Sequence, residues 1–175
     1  MALRMKDKTK RIAISAMLSA LGVVFLYLGS LIDVLDISMA VIASVCCIFA
    51  VIEFGGAFPW LIYAVTGVLS LLLLPRKEAA VMYLLFFGFY PILKEKLEKK
   101  KKLTSWMLKE LIFNVALAVM LLLSKLLLTA DTAEPWFMYL LFVAIAEITF
   151  PIYDLALTRI ISLYIYKIRS KFRLK

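Results

Sequence analysis

The chain has 175 residues, 65% of them hydrophobic, and a mean hydropathy of +0.98. A soluble domain is about 45–50% apolar, so this composition leaves too little polar surface for a body in water and points to lipid as the solvent. The net charge of +9, from 21 Lys and Arg against 12 Asp and Glu, comes with no nucleic-acid recognition motif. It gathers in connections and tails, as the positive-inside rule requires of a membrane protein, so nucleic acid is set aside as a partner.

Six apolar segments follow in chain order. The first spans Ile12–Ile32 behind a basic stretch, and its apolar run is too long for the core of a signal peptide, so it reads as a retained span. The second and third run over Ile37–Phe54 and Ala57–Leu74, joined through Gly55, Gly56 and Pro59 as a tight turn. The fourth, Ala79–Leu93, is short, and YPILKEKLEKK extends it helically into the interface. The fifth and sixth run over Leu111–Leu128 and Trp136–Leu157. Backbone polar groups in hydrocarbon must be satisfied within the segment, so each is expected as a helix. About 20 residues cross a core of about 30 Å.

Charge sets the expected orientation. Arg4, Lys6, Lys8, Lys10 and Arg11 lie in the N-terminal segment 1–11. Lys94, Lys96, Lys99, Lys100, Lys101 and Lys102 lie in the connection 94–110, and Lys167, Arg169, Lys171, Arg173 and Lys175 in the tail 159–175. With six crossings these three regions share one side, and Asp33, Asp36, Asp131 and Glu134 share the other. The expected fold is therefore all-α: one polytopic membrane domain over residues 1–175, a bundle of six transmembrane helices, N-in and C-in, in the cell membrane. Arg76 and Lys77 break the charge rule on the outer side, where a basic loop is either tolerated for its shortness or meets an anionic ligand.

Two patterns stand out inside the spans. On the first, Ala13, Ala16, Ala20 and Ser19 form a small-residue patch centred on Ala16-x-x-x-Ala20, a spacing that lets another backbone approach closely. It serves either intramolecular packing or the docking of a partner. On the sixth, Glu147, Pro151, Asp154 and Thr158 recur at helical spacing, and on the fifth Asn114 and Lys125 share a face. Ionisable groups in a span face the protein interior. These residues either pin the helices together or wall a hydrated cavity, with Pro151 freeing a carbonyl beside it.

The chain has no His, and its two cysteines, Cys46 and Cys47, are adjacent in an apolar run. That set supplies no metal cage, and no metal or cofactor is expected. No phosphate-binding loop, nucleophile elbow or dinucleotide fingerprint is present, so no catalytic constellation supports an enzyme.

A small, basic, six-span chain carrying RIAISAMLSALG at residues 11–22 resembles the substrate-binding membrane subunits of energy-coupling-factor vitamin transporters, which carry an alanine-x-x-x-alanine face on their first helix. The resemblance implies a protein that captures a small molecule from outside. It then docks on a transmembrane coupling subunit driven by two cytoplasmic ATPases. Carried onto this chain, the docking face is Ala16 and Ala20, with Ala13 beside them. The implied pocket draws on Lys125, Glu134 and Tyr139, and the residue pattern adds Glu147, Asn114 and Arg76. Both charge signs are present at the outer end, so charge does not select the substrate. A membrane scaffold of the cell envelope, recruiting its partner through the small-residue face and the basic connection, is the alternative. A stand-alone channel or proton-coupled carrier using Glu147 and Asp154 has least support, since no inverted repeat is visible.

Overall fold

The computed structural model describes residues 8–127 and 136–168, and every regular element among them is helical. Helix α1 covers Lys8–Leu31, α2 Asp36–Glu53 and α3 Phe58–Leu73. Helix α4, Glu78–Met82, runs into a π-helical turn, Tyr83–Phe87, and α5 follows at Tyr90–Leu97. Helix α6 covers Lys102–Leu127, and α7, Trp136–Leu163, ends in a second π-helical turn, Tyr164–Ile168. Four helices (α1, α2, α6 and α7) are long and apolar enough to cross a membrane.

The helix ends follow local chemistry. Asp36 opens α2, where its negative charge meets the positive end of the helix dipole. The turn after α2 needs left-handed backbone at two successive residues, and Gly55 (φ 58°) and Gly56 (φ 63°) supply it without a Cβ penalty. Pro59 sits in the first turn of α3, where its missing N–H costs nothing. Helix α3 stops because Pro75 forces the residue before it out of the helical region: Leu74 has φ −71° and ψ 137°.

Two segments differ from the sequence expectation. Helix α3 has 16 residues, about 24 Å at 1.5 Å each, shorter than a hydrocarbon core of about 30 Å. The fourth segment is a broken helix, because Gly88 weakens the ladder and Pro91 lacks an N–H; Gly88 donates to Tyr83 O at 2.7 Å across the π turn. The basic connection is mostly helix, in line with the helical extension expected of YPILKEKLEKK: only residues 98–101 separate α5 from α6, since Lys, Glu, Leu and Met are good helix formers.

Two compact units divide the chain, Met1–Ile112 and Phe113–Lys175. In the first, α1 packs on α2 and α3, and α2 also packs on α4, α5 and the π turn between them. Its core gathers Leu26, Ala40, Ala43, Cys47, Ala50, Phe54, Ile62 and Tyr83. Ala40, Ala43, Cys47 and Ala50 lie on one face of α2, and their small size lets the neighbouring backbones come close. Gly22 does the same for α1 and α3: a Cβ there would stand 2.9 Å from Thr66 Cγ2. In the second unit, Phe113 stacks on Phe150 with centroids 4.6 Å apart, and Ala116, Leu117, Tyr153 and Leu157 are buried around the pair.

Candidate functional site

Helix α1 presents two faces with different fates. Ser15, Ser19, Gly22, Val23 and Leu26 are buried against the rest of the first unit. Ala13, Ala16 and Ala20 are exposed. The sequence pattern placed Ser19 with the alanines, but the helix turns it inward, where its carbonyl accepts from Thr66 Oγ1 at 3.4 Å. Intramolecular close packing is thus taken by the serine and glycine face, and the alanine face keeps its small, flat surface uncovered.

Among the expected ligand-binding residues, Arg76 is engaged within the chain. Its Nη2 lies 2.9 Å from Asp36 Oδ2 and 3.7 Å from Glu78 Oε2. The Asp36 side chain is 8% exposed and that of Arg76 34%, so the bridge fastens the loop after α3 to the start of α2. Lys77 Nζ donates to Leu74 O at 2.5 Å and caps the end of α3. Both bases therefore serve the loop itself.

The remaining candidates lie in the second unit. Glu147 and Tyr139 are half-buried on α7, Asn114 is exposed on α6, and Asp154 is buried. The Phe113–Phe150 stack sets the register of the two helices. Pro151 has no N–H to give to the carbonyl of Glu147, so α7 lacks its usual backbone bond at that point. Thr158 Oγ1 donates to Asp154 O at 2.9 Å, so it bonds its own helix. Lys125 belongs to the last turn of α6, and its side chain is outside the described set; Glu134 lies outside the described residues altogether.

Two polar clusters had no sequence signal strong enough to find them. Lys94, 0% exposed, pairs with Glu98 at 3.0 Å, and buried Lys109 reaches the same carboxylate oxygen at 3.5 Å. The i,i+4 spacing of Lys94 and Glu98 is readable, whereas the arrival of Lys109 depends on the turn between α5 and α6. Deeper in the first unit, Cys47 Sγ lies 3.1 Å from Tyr83 Oη, and Tyr63 Oη donates to Leu84 O at 2.9 Å inside the π turn. Among the described residues no three His, Cys, Asp or Glu side chains converge as a metal site would need.

These features define a helical membrane protein with an uncovered small-residue face on its first helix. No protein-family model, curated protein or solved structure matches the chain.

Proposed function

We propose that this protein is the membrane-embedded substrate-capture subunit of an ATP-driven, multi-component importer, docking on its coupling subunit through the alanine face of α1. The observation that carries the reading is the division of α1 into a packed serine and glycine face and an exposed Ala13, Ala16 and Ala20 face. Small residues four apart gain most when another helix covers them. In this reading all six apolar segments cross the cell membrane, the broken α4–α5 included, with both termini inside. The captured solute is assigned to the second unit, which carries Glu147, Asn114 and Tyr139. The chain has no phosphate-binding loop, so two cytoplasmic ATPases on the partner supply the energy.

The test is gentle purification from the native membrane followed by native mass spectrometry, with Ala16→Trp and Ala20→Trp beside the wild type. The expected result is a coupling subunit and two ATPases with the wild type, and their loss from both variants while the protein stays folded. A wild type that carries lipid alone would sink the reading.

A second reading, a non-transporting membrane scaffold, is favoured by one observation. A groove of about 320 Å³ on α3 is lined by Ala64, Val65, Val68 and Leu69, side chains that suit a helix or an acyl chain and offer nothing to a polar solute. Co-purification of an envelope-assembly protein in place of ATPases would select it.

A further inference from the structure

Residues 94–110 hold seven lysines and three glutamates. Two of the carboxylates are paired with lysines of this stretch, and the third, Glu110, is half-buried. Glu98 lies between Lys94 and Lys109, and Glu95 pairs with Lys99 at 3.4 Å. Lys96, Lys99, Lys100, Lys101 and Lys102 are all exposed, on or beside the turn 98–101. Immediately beyond the turn, Leu103, Met107 and Leu111 are 75%, 67% and 60% exposed along one stripe of α6, and Trp106 is half-buried next to them. The apolar stretch of α6 fit to cross a membrane starts at Lys102. The surface is thus cationic at one edge and apolar at the next, with the change falling at a single turn.

We infer that this turn is a docking surface for anionic phospholipid, with the headgroup phosphate among Lys99, Lys100, Lys101 and Lys102 and an acyl chain along Leu103, Met107 and Leu111. Charge complementarity selects an anion, and the exposed Leu103, Met107 and Leu111 select a lipid over a soluble acidic protein, which would leave them in water. The Lys94–Glu98–Lys109 cluster fixes the turn so that its other lysines face outward. The inference holds whether or not the chain captures a solute.

The test uses the full chain with Trp60→Phe and Trp136→Phe, both positions being exposed, so that Trp106 alone fluoresces. It is reconstituted in vesicles of equal parts phosphatidylcholine and phosphatidylglycerol, with brominated acyl chains on one lipid and then on the other. Brominated phosphatidylglycerol is expected to quench Trp106 about twofold more strongly, since each lysine near the surface attracts anionic lipid. The ratio is expected to return to about one in K99Q/K100Q/K101Q/K102Q, and in the parent protein at high salt. Equal quenching by the two lipids in the parent would overturn the inference, as would a preference that survives both the four substitutions and the salt.

Discussion

Lys94 shows what a single buried charge demands. It is 0% exposed, and Glu98 joins it to Lys109 across the turn between α5 and α6. Replacing Glu98 by Gln leaves two buried cations without that carboxylate. Because Glu98 is itself 44% exposed, water softens the loss, and we expect a cost of about 1–3 kcal/mol, seen as a lower midpoint of thermal unfolding in detergent. Glu95→Gln is the control. Its pair with Lys99 is exposed, and removing it is expected to leave the midpoint unchanged. The residue scale is also where the sequence was least legible. Asp36 and Arg76 stand 40 positions apart, and only the fold brings them to 2.9 Å. Arg76 reads as an unassigned outer base until α2 and the loop after α3 are seen to meet. Ser19 misleads in the opposite way, since three residues of spacing set it beside the alanines in the chain but a helical rotation carries it into the core.

At the scale of elements, the break in the fourth segment is held by packing as well as by proline. A Cβ on Gly88 would lie 2.6 Å from Tyr63 Cδ2 and 2.7 Å from Tyr83 Cε1, both on rigid rings. Gly88→Ala is therefore expected to destabilise the first unit by about 1–3 kcal/mol and to weaken the Cys47–Tyr83 contact, since Tyr83 must move. Thermal unfolding reads the first effect, and faster labelling of Cys47 by a membrane-permeant maleimide reads the second. The existence of α1, α2, α6 and α7 was legible because long apolar runs have no other stable form in lipid. The interruption was not, although Gly88 and Pro91 are plain in the sequence, because the surrounding YLLFFGFY is apolar throughout and hides a change of helix type. In the basic connection the helix was legible and the burial was not. YPILKEKLEKK reads as an interfacial helix, yet Lys94 and Lys109 are buried and share Glu98, whose pairing with Lys109 spacing alone does not assign.

For the whole molecule, the proposed six crossings make a sharp topological forecast. In a background with Cys46 and Cys47 replaced by Ala, Lys77→Cys is expected to react with an impermeant maleimide from outside intact cells, and Lys100→Cys only after the membrane is opened. Labelling of both from one side would remove the six-span arrangement while leaving the four long helices untouched. Helix α3 carries a consequence of its own. At about 24 Å it stands beside longer neighbours, and charged Arg76, Lys77 and Glu78 follow it at once. If α3 crosses as proposed, a bilayer meeting so short an apolar column puckers toward it, since elastic strain in the lipid costs less than leaving charge in oil. The protein then behaves as a dimple in the sheet, drawn toward thin or soft patches and toward others that dent the surface alike. Its thermal midpoint is expected to be higher in vesicles of 14-carbon than of 20-carbon chains. Such a preference would assign this small helix a part in where the protein gathers as well as in how it folds.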